Sequence, residues 1–441
     1  MRNWKVLAGL VLAFALVVAA CGDDDAATTT EAPATTEAAT TTEAPATTEA
    51  PATTEAPTTT EAMAAPLVIW ADETRTEVLQ GAAADFEAAT GIPVEIQLVG
   101  FGDIRGQIQE AGPAGEGADI FIGAHDWVGE LVANGILAPI DLPNPGDYYD
   151  IAIGAFSIDG TLYGLPYAVE GMALYRNTDL VPDAPATYDD LLASCDALGD
   201  AIENCLGVPA GDAYANQAFV QGFGGYVYGY TETGFDPTDV GLDSEGAFEG
   251  ADFLDAQVKA GILDPAIDWG FSGDLFNQGT QAYMWNGPWQ AGAVDDAGIN
   301  WDASPFPTIG DDNNPIPFVG VQGFMISSFS EQPVAAQTFL TEFVNTQELM
   351  FDFFTLGSRG PAHKAAYADA LAASPWIAAF SPVDADPIKA MPNIPEVSAM
   401  WGALGEAIAT IYNQTYTDEV PDARAAFQRA ADLVRSTIAG G

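Results

Sequence analysis

The sequence contains few of the residues on which catalysis most often depends. Only two histidines, His125 and His363, occur in 441 residues. No Gly-x-Ser-x-Gly elbow, Walker A motif or Gly-x-Gly-x-x-Gly turn lies between a strand and a helix, and no Cys/His cluster has metal-ligand spacing. The sequence therefore indicates no nucleophile, no metal and no cofactor, and we expect a protein that is not an enzyme.

Basic residues are also scarce. Lys and Arg total 12 against 63 Asp and Glu, which gives a formal net charge of −51 at pH 7. Such a chain cannot neutralise phosphates, which argues against nucleic-acid binding, and anionic lipid head groups repel it. Among so many acids, paired carboxylates occur by chance, so a glycoside hydrolase has no specific signal here.

One long apolar run is present, and it is too short to span a membrane. Residues 6–20 form it, whereas a spanning helix needs roughly 20 residues. Because Arg2 and Lys5 precede the run, residues 1–20 are predicted to be a signal peptide. The run ends in VAAC, which resembles a bacterial lipobox and implies cleavage before Cys21 and a lipid on its sulfur. The alternative is an ordinary secretory signal followed by an incidental cysteine.

Residues 21–64 follow, and they lack the side chains that build a core. They consist mainly of Thr, Glu, Ala and Pro, with a glutamate at every sixth position from Glu31 to Glu61. Such a composition predicts a disordered segment, which charge repulsion and proline keep extended. We interpret it as a tether between a lipid anchor and a folded body.

Cysteine is the third scarce residue, with three in the chain. If Cys21 carries the lipid, Cys195 and Cys205 remain as an even pair in an exported protein, and we expect a local disulfide. Two free thiols are the alternative. A metal site is disfavoured because no histidine lies near either cysteine in the sequence.

Strand-like and helix-like stretches alternate at the start of the body. Residues 67–70 and the stretches IPVEIQLV and ADIFIGAHD are typical of strands, with helical stretches between them. This alternation predicts an α/β fold with a parallel sheet, in which ligands bind at the carboxyl ends of strands. Asp72, Glu73 and Asp126 lie at two such ends.

Two extended stretches later in the chain, residues 160–181 and 315–328, interrupt the alternation. We interpret them as crossovers between two lobes that are each built from discontinuous segments. The chain ends in a predicted helix that docks through one apolar face, formed by Ala423, Phe427, Ala430, Val434 and Ile438.

Aromatic residues recur in polar, loop-like settings, namely Trp70, Trp127, Tyr214, Trp285, Trp289 and Trp401. Aromatic rings cover the apolar C–H faces of sugars, and carboxylates accept hydrogen bonds from sugar hydroxyls. A cleft lined by both would suit a neutral carbohydrate. In the stretch YMWNGPWQAG, we expect Trp289 to line such a cleft and Trp285 to pack beneath it.

The body from about Leu67 to the C-terminus resembles the maltose/maltodextrin-binding proteins of ABC importers, within the extracellular solute-binding family 1. The matching stretches keep their order along the chain: LVIWADE, FEAATGIPVEI, GADIFIGAHDWVGELVANGILAPI, YGLPYAVEGMALYRNTDLVP, MWNGPWQAG, PFVGVQGF and MPNIPEVSAMW. The resemblance implies a type II periplasmic-binding-protein fold, with two discontinuous α/β lobes and a central ligand cleft. Residues 65–170 and 322–372 would form the N-terminal lobe, and residues 171–321 and 373–441 the C-terminal lobe.

The resemblance also implies sugar-binding roles for ten residues. Acidic and basic contacts to hydroxyls would come from Asp72, Glu73, Arg75, Asp126, Glu170 and Asp212, where Asp212 replaces a glutamate. Stacking rings would come from Tyr214, Trp289 and Trp401, and Met391 would border the site. Four positions depart from the best-known members, because Gly123 replaces a Trp, Trp127 and Gly405 each replace an Arg, and Ala215 replaces an aromatic residue.

The resemblance implies a monomeric, lipid-anchored receptor outside the cytoplasm. It would bind an α-glucoside of the maltose or maltodextrin type and deliver it to the transmembrane subunits of an ABC permease. Trehalose, a cyclodextrin, another disaccharide or a polyol are the alternative ligands. A tethered glycoside hydrolase and an adhesive surface protein are the alternatives from other classes.

Overall fold

The computed structural model describes residues 65–232, 234–386 and 390–440. The predicted signal peptide, Cys21 and the tether lie outside the described residues. Within the described part of the chain, no helix is both long enough and apolar enough to cross a membrane.

The larger of two main sheets has seven strands. They are β1 (Leu67–Ala71), β2 (Val94–Leu98), β3 (Ile120–Ala124), β4 (Leu137–Ala138), β7 (Leu165–Glu170), β14 (Gly320–Ser327) and β15 (Gly360–Pro361). Their order is β15-β7-β14-β3-β1-β2, and β4 pairs with β14. The strand β1 is parallel to both neighbours, with Ile69 opposite Ile96 and Ile120, whereas β14 is antiparallel to β3 and β7. The expected parallel sheet is therefore present, with antiparallel strands added at one side.

The second main sheet has four strands, β8 (Ala173–Asn177), β9 (Asn204–Gly207), β12 (Gln281–Asn286) and β13 (Trp301–Ser304). Their order is β13-β8-β12-β9, with β12 parallel to β9 and antiparallel to β8. Two small hairpins pair β5 (Ser157–Ile158) with β6 (Thr161–Leu162), and β10 (Tyr228–Thr231) with β11 (Gly234–Val240).

Helices surround both sheets. The α-helices are α1 (Glu73–Thr90), α2 (Phe101–Ala114), α3 (Val128–Ala133), α4 (Asp150–Ala155), α5 (Tyr188–Leu198), α6 (Ala213–Gly222), α7 (Glu245–Lys259), α8 (Trp269–Asn277), α9 (Ala291–Asp296), α10 (Pro333–Thr338), α11 (Gln347–Gly357), α12 (Lys364–Ala373), α13 (Ile377–Phe380), α14 (Val397–Asn413) and α15 (Ala423–Gly440). A π-helix spans Phe339–Val344, and short 3-10 turns span His125–Trp127, Pro145–Asp147, Gly199–Ala201 and Pro288–Gln290.

The buried residues form two hydrophobic cores, one around each main sheet, although Tyr175 and Met284 of the second sheet belong to the first core. Ile69, Phe121 and Phe324 belong to the core of the larger sheet, and Trp285 and Leu404 belong to the second core. The two-lobed α/β fold that the sequence predicted is confirmed.

The chain passes between the lobes more than once. It leaves the larger sheet after β7 and enters the second sheet at β8, and it returns at β14. Later, Ile377 and Phe380 of α13 pack in the first core, whereas α14 packs in the second. Phe380 also contacts Tyr175 of β8, with ring centroids 4.9 Å apart. Each lobe is therefore discontinuous, and the predicted segment boundaries stay a prediction.

The terminal helix α15 packs on α14 and α7. Its predicted apolar face is buried at Ala423, Phe427, Ala430 and Val434, and Ile438 is partly buried against the same core. In the same lobe, Cys195 at the end of α5 is joined to Cys205 in β9 by a disulfide, with 5.5 Å between the Cα atoms.

Candidate functional site

A cleft of about 680 Å³ lies where the two lobes meet. The first lobe contributes residues at the ends of β3 and β7, on β14 and before β15, and the second contributes residues of α6, α14 and the turn after β12. The lining residues are Phe101, Gly102, Ala124, Asp126, Trp127, Glu170, Asp212, Tyr214, Trp289, Gly320, Gln322, Arg359, Met391 and Trp401. The volume is within the usual range for a small-molecule site.

The structure brings seven of the ten predicted sugar-binding residues to this cleft. They are Asp126, Glu170, Asp212, Tyr214, Trp289, Met391 and Trp401. Residues more than 270 positions apart in the sequence therefore line one cavity, with three carboxylates and three aromatic rings among them.

The other three predicted residues do not line the cleft, because they belong to the start of α1. The Asp72 carboxylate caps this helix by accepting a hydrogen bond from the Arg75 backbone N–H at 3.2 Å. The same carboxylate forms a buried ion pair with the Arg75 guanidinium, whose Nε donates to the Tyr167 hydroxyl. Glu73 is exposed. Asp72 and Arg75 thus have structural partners at the start of α1, and the sugar-binding roles of all three residues stay predictions.

The two tryptophans around the Asn-Gly-Pro corner have different environments. Trp285, on β12, is fully buried, donates from Nε1 to the Ala215 carbonyl at 2.9 Å, and packs edge-on against Phe306. Trp289 lies in the 3-10 turn and is only half-buried. A Cβ at Gly287 would lie 2.1 Å from the Trp289 ring, so this glycine allows the ring to fold over the turn. Trp285 is therefore core, and Trp289 faces the cleft.

Trp289 belongs to a cluster of aromatic rings in the second lobe. The centroid of its ring lies 6.4 Å from that of Tyr214 and 6.0 Å from that of Trp269. Asp212 caps α6 by accepting from the Ala215 N–H at 2.8 Å, and its other oxygen accepts from Trp269 Nε1 at 3.1 Å. Asp212 thus fixes both α6, which carries Tyr214, and the ring that supports Trp289.

Also in the second lobe, Trp401 of α14 contacts Asp126 of the first lobe. The indole Nε1 donates to the Asp126 Oδ2 at 3.3 Å. Burial raises the pKa of the Asp126 carboxyl to about 6, although the positive charge of Arg105 and the Trp401 hydrogen bond oppose the shift. An acceptor with an unusually high pKa therefore lies at the lobe boundary, directly beside an aromatic ring.

His125, the residue before Asp126, is structural. Its Nδ1 accepts a hydrogen bond from the Val321 backbone N–H at 3.0 Å, so its Nε2 carries the proton and donates to the Met391 carbonyl at 2.9 Å. Complete burial lowers the pKa of His125 to about 4, and the ring is neutral at pH 7. His125 therefore joins three separate segments of the cleft wall, and neither nitrogen is free to act as a base.

Two cleft residues that the sequence did not single out, Gln322 and Arg359, flank Glu170. Gln322 Nε2 donates to Glu170 Oε1 at 2.9 Å, and Arg359 Nε lies 2.7 Å from Glu170 Oε2 in an ion pair. The guanidinium carbon of Arg359 is also 5.6 Å from the centroid of the Trp289 ring in the other lobe. The scarcity of arginine in so acidic a chain is the signal that could have marked Arg359.

Trp127 and Gly123, two of the positions that depart from the family pattern, depend on each other. A Cβ at Gly123 would lie 2.5 Å from the Trp127 ring and slightly closer still to the Met325 methyl carbon. Because position 123 has no side chain, Trp127 folds across it and lies beside Phe101, with ring centroids 5.0 Å apart. An aromatic residue is thus present on this side of the cleft, but it comes from position 127 and not from position 123, where the best-known family members have a Trp.

Two α/β lobes with an aromatic and acidic cleft between them define a solute-binding protein. The comparison with protein families agrees, because the model for "Bacterial extracellular solute-binding protein" matches residues 81–379. The chain belongs to this family, which confirms the resemblance seen in the sequence and an extracytoplasmic location.

The chain is also similar to individual sugar-binding proteins. It is 27% identical over 345 residues to a maltodextrin-binding protein of Bacillus subtilis, which covers 76% of this chain and 82% of the relative. It is 27% identical over 382 residues to a galactooligosaccharide-binding protein of the same organism, covering 84% and 89%. A solved structure of Thermus thermophilus maltotriose-binding protein bound with maltotriose matches with a TM-score of 0.75 at 29% identity, covering 84% of this chain and all of that one.

Proposed function

We propose that this chain is the substrate-binding lipoprotein of an ABC sugar importer and that it binds α-glucosides of the maltose and maltodextrin type. The observation that carries the proposal is the cleft itself, where Trp289, Tyr214 and Trp401 lie among the carboxylates of Asp126 and Glu170. Rings of this kind stack on the apolar faces of glucose units, and carboxylates accept hydrogen bonds from their hydroxyls. Relatives with maltodextrin and maltotriose in their names support this ligand class.

The proposed mechanism is binding without chemistry. The sugar would enter between the lobes, and closure about the crossovers would bury it and create the surface that the permease recognises. Proposed ligand contacts are Asp126, Glu170, Asp212, Tyr214, Trp289, Met391 and Trp401. A lipid on Cys21 would hold the monomeric receptor at the cell membrane, with residues 22–64 as the tether.

No bond-making role is proposed for any residue, because each carboxylate in the cleft already accepts a hydrogen bond from a neighbouring side chain. His125 uses both ring nitrogens, and among the described residues no group of three or more His, Cys, Asp or Glu side chains could hold a metal ion. Incubation with a labelled maltodextrin tests this point, since a hydrolase would release shorter products.

Intrinsic tryptophan fluorescence of the purified chain tests the ligand class. Trp127, Trp289 and Trp401 line the cleft, so a bound sugar should change their emission. Titration with maltose, maltotriose, trehalose and a cyclodextrin should give a saturable change with at least one of the linear α-glucosides. A response to none of them would contradict the α-glucoside assignment.

A second ligand class has a specific observation in its favour. The galactooligosaccharide-binding relative matches this chain at the same identity as the maltodextrin-binding one. A galactooligosaccharide should therefore be included in the same titration. Tighter binding of that sugar than of maltotriose would replace the proposed ligand and leave the proposed transport role unchanged.

A further inference from the structure

The cleft is rich in carboxylate acceptors and poor in charged hydrogen-bond donors. Asp126, Glu170 and Asp212 can only accept hydrogen bonds when ionised, whereas a sugar hydroxyl both donates and accepts. Two lining side chains that could donate are already engaged, since Trp401 Nε1 donates to Asp126 and Gln322 Nε2 donates to Glu170. The donors that remain in the lining are the neutral groups of Tyr214, Trp127 and Trp289 and the guanidinium of Arg359.

Arg359 is the one cationic side chain among the lining residues that the structure describes. Its Nε lies 2.7 Å from Glu170 Oε2 in an ion pair that lacks hydrogen-bond geometry, and its Nη1 donates weakly to the Gly357 carbonyl at 3.4 Å. Its Nη2 donates to no described residue. The guanidinium therefore has unused N–H groups in the cleft, next to the face of Trp289.

The backbone on both sides of Arg359 is constrained. Ser358 ends α11 in the left-handed conformation with φ of 58°, which non-glycine residues seldom adopt. On the other side, Gly360 pairs with Val169 of β7, and a Cβ at Gly360 would lie 2.0 Å from the Ser381 hydroxyl oxygen. Arg359 thus extends into the cleft from a fixed backbone position, as a specific binding contact requires.

We propose that Arg359 is a specificity-determining sugar-binding residue, whose free N–H groups donate hydrogen bonds to hydroxyl oxygens of the sugar ring that stacks on Trp289. Glu170 is the positioning partner, because its carboxylate fixes the guanidinium at the Nε side. A sugar can make both contacts only if its hydroxyl oxygens face the Arg359 N–H groups while its apolar face lies on Trp289. This inference rests on the proposed function, since it requires a saccharide in the cleft.

Two substitutions at Arg359 and one control test the proposal. Arg359→Lys keeps a positive charge beside the buried Glu170 but removes the planar fork, and Arg359→Met removes the donors altogether. We expect the affinity for maltotriose, measured by calorimetry, to fall about tenfold in the first variant and further in the second, because hydrogen bonds from charged donors are strong. Arg429→Met, which breaks an exposed ion pair with Glu406, should bind like the wild type.

Deoxygenated ligands separate a direct contact from a structural role. In a panel of monodeoxy maltotrioses, at least one should bind the wild type about tenfold more weakly than maltotriose does, yet bind Arg359→Lys with no further loss. If the loss of affinity from deoxygenation multiplies the loss from Arg359→Lys for every analogue, Arg359 makes no direct contact with a hydroxyl and acts only on the shape of the site. Circular dichroism confirms that each variant is folded.

The outcomes distinguish this inference from the proposed function. If the wild type binds α-glucosides and both Arg359 variants bind them equally well, the Arg359 assignment is wrong and the proposed function stands. If the wild type binds none of the sugars, both proposals are wrong.

Discussion

The replacement of Trp289 by alanine is the most direct perturbation of the proposed site. The Trp289 ring is half-buried at the cleft, and it is supported by Trp269 and Tyr214 at centroid distances of 6.0 and 6.4 Å. Alanine removes the stacking face but leaves both supporting rings. Lost stacking and burial should weaken sugar binding by about 1–3 kcal/mol. At 1.4 kcal/mol for each factor of ten, Kd should rise about 5- to 150-fold.

Isothermal titration calorimetry with maltotriose measures this change in Kd. Trp289→Phe is the matched control, because it keeps a smaller stacking face and should lose less affinity than Trp289→Ala. Thermal unfolding shows whether each variant keeps its fold. An unchanged Kd for Trp289→Ala in a folded protein would refute the reasoning, since the ring would then lie outside the binding site.

Four further predictions concern other residues. The pKa of Asp126 is raised to about 6, and an ionised carboxylate is a stronger hydrogen-bond acceptor than a protonated one. Sugar affinity should therefore fall as the pH falls below about 6. Asp126→Asn should remove this pH dependence. Because the pKa of Asp126 is raised in the folded protein, the folded protein binds a proton more readily than the unfolded chain does. The Asp126 contribution to the free energy of unfolding should therefore increase as the pH falls from 6 to about 4. Urea titrations of the wild type and Asp126→Asn can measure this increase. Gly123→Ala should destabilise the fold by about 1–3 kcal/mol, because the new Cβ would overlap both the Met325 methyl group and the Trp127 ring. In urea unfolding, Gly123→Ala should cost less in a Trp127→Ala background than in the wild type, because one of the two overlaps is then absent; an equal cost in both backgrounds would contradict a role for Trp127. Replacing both Cys195 and Cys205 by serine should lower the free energy of unfolding by about 2–3 kcal/mol, and a wild type that unfolds identically with and without reductant would contradict it.

Local patterns predicted the elements of the fold well. The apolar run at residues 67–70 lies in β1, and the spacing of apolar residues in the last helix gave the buried face of α15. Trp285 follows apolar strand residues and is buried, whereas Trp289 follows a Gly-Pro corner and lines the cleft. Signals of this kind depend on neighbouring residues, which a sequence displays directly.

Contacts between distant segments were less predictable. Glu170, Gln322 and Arg359 meet only because β7, β14 and β15 are adjacent in one sheet. No local sequence pattern predicts that these three strands pair. Conversely, Asp72 looks like a ligand at a strand end, but the same position is the N-cap of α1. A carboxylate at the junction of a strand and a helix suits either role, and in the structure Asp72 caps the helix and does not line the cleft.

The close packing of position 123 against the Trp127 ring has a consequence for how such a cleft can evolve. A larger residue at position 123 requires both the Trp127 ring and the Met325 methyl group to move, and loss of the ring alone leaves a gap beside Phe101. Each single exchange is therefore unfavourable unless neighbouring residues change with it. Ligand preference on this side of the cleft should consequently change in coupled steps, with the order of substitutions restricted by epistasis among these positions.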